Sequence, residues 1–346
     1  GGVTGVLLMP NSKPACDTPE TVKYILNKGA QTGINVYTSA CITEGMSGGG
    51  LCDYEALKNA GVFAITDDGR PVENAELMRQ ALELSVTNGM TVLSHCEDLK
   101  IINGGIINKG EVSKALGVKG MDRASEDYIT AREIALAASC GAHIHICHVS
   151  TYGSVNIIRA AKRDGVNVTC ETAPHYFTYT DEKLYSRDAD YRMSPPLRTE
   201  KDRAAIEEAL LDGTIDCIIT DHAPHAAEEK ADFLKAPNGV VGLETSLAAT
   251  LTKLYHGGKC GIGKIAELMS VNPRRVLGLP PVKIEEGAEC ELCIFDPEAE
   301  WTVEPEKLHS KSKNTVFKGE TFKGRAVYTI CRRKIVFYRK EDENVT

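Results

Sequence analysis

"CIITDHAPH", residues 217–225, joins two chemistries that do not belong in the same environment. An apolar run of strand type is followed at once by Asp221 and, past a proline, by His225. A strand covered on both faces reads as a continuous apolar run. A carboxylate and an imidazole directly after such a run therefore sit at the C-terminal edge of a sheet.

The same ending recurs upstream. "VFAITDD" (62–68) delivers Asp67 and Asp68, "TVLSHCE" (91–97) delivers His95 and Glu97, and "AHIHICHV" (142–149) delivers His148. "VTGVLLM" (3–9), "NVYTSACI" (35–42) and "VNVTCET" (166–172) are further runs of this kind. Helix-like segments lie between them, among them "PETVKYILNKGA", "NAELMRQALELSVTNG", "SEDYITAREIALAASCG" and "STYGSVNIIRAAKRDG". Several show start signals and a glycine just past the last periodic residue.

Apolar strands alternating with helices predict a parallel sheet covered by helices. Polar residues at strand C-terminal ends favour a (β/α)8 barrel, whose sites lie at that end. An open doubly wound sheet would bring a glycine-rich phosphate loop after its first strand, and "GVLLMPNSKP" has none. Seven strands are countable, one short of eight. The expected fold is α/β: a TIM-like barrel over residues 1–283, holding strands 2 to 8 and lacking its first strand in this chain. From residue 284 the texture changes, and "EEGAECELCIFDP" and "AVYTICRRKIVFY" predict a small β-rich C-terminal segment, 284–346.

The 346 residues are 42% hydrophobic and 25% charged with a net charge of −8, which argues against a nucleic-acid or anionic-membrane partner. No apolar run approaches the roughly 18 residues of a membrane span, and no signal peptide is apparent. The cysteines are scattered, mostly inside apolar runs such as "VTCET" and "HICHVS", as expected of reduced cytoplasmic thiols. The chain opens "GGVTGVLLMP", inside a strand and without Met, as a piece of a longer protein would.

Imidazoles and carboxylates from separate strand ends, gathered at one mouth, suit a divalent cation of hard to borderline character. Such an ion lowers the pKa of its bound water to about 7, and an adjacent carboxylate can then move a proton. Asp221 is placed for both tasks, and His225 is placed to reach a substrate. Side chains alternate along a strand, so His148 is expected to face opposite to His143 and His145, which are read as packing towards the helices. Asp67 and Asp68 split in the same way, and spacing alone does not choose between them.

"MPNSKP", "FAITDDG", "SHCED", "CHVST", "SPPLR", "DGTIDCIITDHAPH" and "VGLET" resemble, in this order, the class I bacterial dihydroorotases of the amidohydrolase superfamily. The resemblance runs on into the C-terminal "NTVFKGETFKG" and the strand-like residues after it. Related hydantoinases carry a carboxylated lysine where this chain has "TDDG". The resemblance implies reversible interconversion of N-carbamoyl-L-aspartate and L-dihydroorotate in pyrimidine synthesis, with one or two Zn2+ ions. It implies that Asp68 bridges the metals, that His95 and His148 bind the second metal, and that Asp221 binds the first and is the general base. Asn11 and His225 would take the substrate carboxylate, and Ser194 and the backbone at Asn238 and Gly239 would meet the pyrimidine ring.

Two departures from the family pattern stand out. The His-x-His-x-Arg of its first strand has no match in these residues, so this chain alone is expected to be inactive. Ser194 stands where the family typically has Asn, and a hydroxyl offers fewer hydrogen-bonding groups than an amide. A homodimer, or association with aspartate transcarbamoylase, fits the same resemblance. The competing expectations are an inactive structural partner of that transcarbamoylase and a related allantoinase or hydantoinase. The polar segment 226–239 reads equally as a lid or as a surface loop.

Overall fold

A computed structural model describes residues 1–339 of the chain. Strand β1 (Gly5–Leu8) pairs in parallel with β2 (Asn35–Thr38). Just past β2, a bridge between Ala40 and Ile65 carries the ladder on to β3 (Ala64–Ile65), which pairs with β4 (Thr91–Ser94). Two short strands, β5 (Ile107–Asn108) and β6 (Gly120–Met121), form a pair of their own. The main sheet continues with β7 (Ile144–Ile146), β8 (Val168–Thr172) and β9 (Cys217–Ile218), in the order β3-β4-β7-β8-β9. Among the described residues no ladder joins β9 to β1.

The strands commit their side chains to two apolar faces. Val92, Ile144, Ile146, Val168 and Ile218 pack with Leu82, Ile158 and Leu210 of the covering helices in the main core. Each such side chain contributes about 1.5–3 kcal/mol by leaving water. On the other face, Leu7, Met9, Ala64, Leu93, Cys147 and Leu277 share a smaller cluster. Contact among side chains of β1, β3 and β4 on one face means that the sheet curls around it.

His145 lies on that inner face, in register with Leu93 and Thr169, and its Nε2 is 3.1 Å from Glu171. His143 Nε2 and His145 Nδ1 both meet Thr169 Oγ1 at 2.8 Å, so the expectation that these two histidines pack towards the helices is corrected here. Ile144 and Ile146 fill the helix-facing positions of β7, which turns the His145 imidazole inward.

The helices start and stop where local chemistry directs. Asn74 accepts hydrogen bonds from the Glu76 and Leu77 amides and so caps the helix Ala75–Asn88, which ends at Gly89 with φ 58°. Thr151 caps Tyr152–Arg163 through the Ser154 amide. The helix Ala124–Cys140 stops at Gly141 with φ 66°.

After the main sheet, β10 (Glu291–Thr302), β11 (Thr321–Cys331) and β12 (Lys334–Tyr338) form an antiparallel sheet in that order. Val303, Phe317 and Phe322 from this region join the main core. Gly324, with φ +99°, lets β11 approach closely, since a Cβ there would stand 2.3 Å from Leu251 Cδ1. Residues 340–346 of the expected β-rich segment lie outside the described residues. Cys290 and Cys293 have the C-x-x-C spacing, yet both are free thiols, and among the described residues no further metal-ligating side chains gather with them. No helix among the described residues is long and apolar enough to cross a membrane.

Candidate metal centre

Every strand that feeds the site stops short of its functional residue. The ladders end at Ile65, Ser94, Ile146 and Ile218, and Asp68, His95, His148 and Asp221 follow in the loops. His148 (φ 34°) and Asp221 (φ 46°) both adopt left-handed backbone. For side chains of this kind that conformation costs on the order of 1–3 kcal/mol and persists only where neighbours impose it. It also ends strand parity, so the alternation argument does not apply to His148.

The neighbours that impose it are visible. The Cys147 amide donates to Ser94 O at 3.0 Å, and the Val149 amide donates to Glu171 O at 2.8 Å. Buried Glu126 accepts from the Ser150 and Thr151 amides at 2.9 and 3.1 Å. Arg198, from the "SPPLR" stretch, reaches Glu126 at 3.4 Å and donates to Ser150 Oγ at 3.1 Å. Two motifs distant in sequence thereby hold the His148 loop.

Asp68, His95 and His148 come together, each offering one ligand atom within 4.8 Å of the others. His95 Nδ1 stands 2.8 Å from His148 Nε2 and 3.6 Å from Asp68 Oδ1. Tetrahedral zinc with bonds of 2.0–2.1 Å separates its ligands by about 3.3 Å. The observed spacings bracket that value, and the nitrogen and carboxylate donor set is one that zinc accepts. The residues fit such an ion.

Asp67 and Asp68 are now distinguished. Asp67 accepts from the Ile42 and Thr43 amides at 2.8 and 3.2 Å and from Thr43 Oγ1 at 2.5 Å, so its carboxylate is spent on the backbone after β2. Asp68 faces the histidines and accepts from Asn11 Nδ2 at 2.9 Å.

His95 is gripped from its far side. Its Nε2–H donates to Glu97 Oε2 at 2.7 Å, and Ser194 Oγ donates to the same oxygen at 2.8 Å. A carboxylate on the outer nitrogen fixes the ring's orientation and strengthens its inner nitrogen as a ligand. Burial alone would push the His95 pKa down, but the hydrogen bonds and charges of Asp68 and Glu97 outweigh it and raise it to about 10. Burial pushes the Asp68 carboxyl up, and His95 reverses this, leaving it below the usual range. Glu97 behaves in the same way. Without a cation, a proton on His95 supplies the positive charge this carboxylate pair demands.

Asp221 stands beside the trio and not among it. Its Oδ2 is 4.0 Å from Nε2 of buried His175. Burial raises the Asp221 carboxyl, with the Asp68 charge adding to the effect, while burial lowers His175 to about 3.

Of the residues expected to bind substrate, His225, Asn238 and Gly239 form a second group, while Asn11 and Ser194 bond to the metal-ligand cluster. His225 Nε2–H donates to Asn238 O at 2.9 Å, and the His225 amide donates to Asn314 Oδ1 at 3.2 Å. The Gly239 amide donates to Arg192 O at 3.0 Å, while Gly239 O accepts from Asn314 Nδ2 at 3.0 Å and Lys230 Nζ at 3.1 Å. The backbone at Gly239 is therefore occupied within the protein. Gly239 itself has φ +143°, and a Cβ would meet Ala223 O at 2.7 Å. Lys230 also donates to Arg192 O and Pro237 O, and Phe233 and Ala236 are buried, so the segment 226–239 is anchored along its length. Ser194, through its bond to Glu97, sits against the metal-ligand side of the site.

Glu126, His175, Arg198 and Asn314 escaped the sequence reading as functional residues, and Glu97 stood there only as a strand-end carboxylate without a role of its own. Only Glu97 carried a signal, being two residues after a candidate ligand. The others act across strand connections that spacing does not reveal.

Comparison with known proteins adds the family. The sequence model described as "Dihydro-orotase-like" matches residues 1–154. A dihydroorotase of Geobacter sp. (strain M21) is 48% identical over 339 residues, covering 97% of this chain and 80% of that protein. A dihydroorotase of Acetivibrio thermocellus is 44% identical over 342 residues, covering 98% and 80%. Among solved structures, the L-hydantoinase (dihydropyrimidinase) of Arthrobacter aurescens superposes with a TM-score of 0.84 at 24% identity, covering 99% of this chain and 78% of that one. The dihydropyrimidinase of Brevibacillus agri NCHU1002 does so with a TM-score of 0.84 at 22% identity, covering 98% and 77%. These structures share the fold, while identity approaching one residue in two along nearly the whole chain places this protein in the dihydroorotase family.

Proposed function

We propose that the protein is a dihydroorotase, a metal-dependent cyclic amidohydrolase that interconverts N-carbamoyl-L-aspartate and L-dihydroorotate reversibly, with zinc as its metal. The observation that carries this reading is the meeting of Asp68, His95 and His148 in a chain 48% identical to a dihydroorotase. A bound divalent ion would supply a more acidic water and polarise the ring amide carbonyl. Asp68, His95 and His148 would hold it, with Asp221 as ligand of a neighbouring ion.

The chain's own residues do the rest. Asp221 takes the proton of the attacking water as oxygen adds to the ring carbonyl carbon. It then returns that proton to the ring nitrogen as the carbon–nitrogen bond breaks, leaving a carboxylic acid whose remaining water proton passes to solvent to give the carboxylate. Cyclisation runs the same steps in reverse. A carboxyl raised by burial is suited to holding that proton between the two transfers. Asn11 and His225 are assigned to the substrate carboxylate, and Ser194, Asn238 and Gly239 to the rim of the ring.

The finer reading of the fold is a (β/α)8 barrel over residues 1–283, followed by the β-rich segment from 284. The open ladder between β9 and β1 supports it, since one further strand would close the curl. On this reading that strand brings two imidazoles and an arginine, and the 346 residues alone turn over negligibly. Rates on dihydroorotate, hydantoin and allantoin, measured with the metal-loaded full-length protein, test the reading. Preference for dihydroorotate supports it, and preference for either other ring sinks it.

A further inference from the structure

Asp221 has few supports for a residue that must pass a proton in a fixed direction. Among the described residues no hydrogen bond reaches its carboxylate, and its backbone is left-handed at φ 46°. His175 faces it from the short helix Pro174–Thr178, directly after β8. The ring is 2% exposed, and its Nε2 is a buried atom without any hydrogen-bond partner. An orphaned buried nitrogen costs on the order of 1–3 kcal/mol, and as an N–H this one needs an acceptor. The nearest charged one is Asp221 Oδ2, at 4.0 Å.

The ring cannot easily turn elsewhere. It packs edge-on against Tyr176 at 4.2 Å between centroids, and the Tyr176 hydroxyl donates to Pro195 O at 2.7 Å. Asp221 lies in a loop beyond the last ladder pair of β9. A hydrogen bond between the two requires the 4.0 Å separation to close to about 2.9 Å.

We infer that His175 is a positioning residue for the reaction: in the working site its Nε2–H donates to Asp221 Oδ2, tethering that oxygen and leaving Oδ1 to carry the proton. The inference rests on the proposed dihydroorotase reading, in which Asp221 is the base.

The test compares His175→Gln, whose amide nitrogen can occupy the same place, with His175→Met, which matches its length without a donor. Both are made in the full-length, zinc-loaded protein. The glutamine variant is expected to keep kcat within about threefold, and the methionine variant to lose about tenfold or more with KM little changed. Zinc content and melting temperature should be alike in the two. Equal kcat in both variants, or losses confined to KM, would overturn the inference while leaving the dihydroorotase reading intact.

A second readout does not depend on turnover. In the 15N-histidine-labelled protein, His175 is expected as the Nε2–H tautomer, with a slowly exchanging proton that moves upfield in Asp221→Ala. A ring protonated on Nδ1 alone would contradict the inference even if the wild-type protein proved to act on another ring.

Discussion

Glu97 holds His95 from behind: the ring donates its Nε2–H to the carboxylate at 2.7 Å, and its Nδ1 is left facing Asp68 and His148. The outer bond thus selects the nitrogen available to a metal. Removing it is expected to weaken zinc binding by about 10–100-fold in Glu97→Gln, as loss of an outer carboxylate does elsewhere. Ser194→Ala, which leaves Glu97 in place, should cost less. Chelator competition measures both, and unchanged affinity in Glu97→Gln would remove the orienting role.

Metal binding should release a proton near neutral pH. The His95 pKa, pushed up to about 10 by its two carboxylates against burial, leaves the ring protonated in the metal-free protein at pH 7. Binding must displace that proton, so affinity rises with pH up to about that value. Calorimetric titration in two buffers of different ionisation enthalpy reads the proton directly. Identical apparent enthalpies would contradict the expectation.

Acid lability should come in part from the curled sheet's inner face. His143 hydrogen-bonds Thr169 Oγ1 through Nε2 at 2.8 Å, and burial, aided by His145, lowers its pKa from 6.5 to about 4. Above pH 6.5 the ring is neutral whether folded or unfolded. Between 6.5 and 4 the unfolded chain binds the proton that the folded one refuses, so stability falls as pH falls through that window. His143→Gln should flatten this slope by on the order of 1 kcal/mol in urea unfolding series at stepped pH. A slope unaltered by the substitution would assign the lability to other groups.

Gly239→Ala is expected to damage both stability and substrate binding. The φ of +143° and the 2.7 Å approach to Ala223 O leave no room for a methyl group, and the displaced backbone carries the His225–Asn238 contact with it. A loss of about 1–3 kcal/mol in unfolding free energy, together with a raised KM, is the expected outcome. A variant as stable as wild type with unchanged KM would show that the loop relaxes freely.

Much of this architecture was legible in the sequence because apolar runs and helical periodicity report burial directly. The seven strands β1 to β4 and β7 to β9 lie within the stretches read for them, and each is shorter; Asp68, His95, His148 and Asp221, near the ends of four of those stretches, belong to loops. Asp68, His95 and His148 were readable as candidates because each follows an apolar run. Choosing Asp68 over Asp67 was not possible from spacing, as it depends on Thr43 and the backbone after β2 occupying Asp67. The inward turn of His145 was missed because two isoleucines compete for the helix-facing side. The contact between His175 and Asp221 joins positions 46 residues apart across two strand ends, and no local pattern announces it.

The central claim is that Asp68, His95 and His148 share a cation, and diffraction from zinc-soaked crystals recorded on either side of the zinc edge tests it most directly. An anomalous peak about 2.0–2.2 Å from an Asp68 oxygen, His95 Nδ1 and His148 Nε2 is the expected result. A peak held by other side chains, or none at these three under saturating zinc, would contradict it.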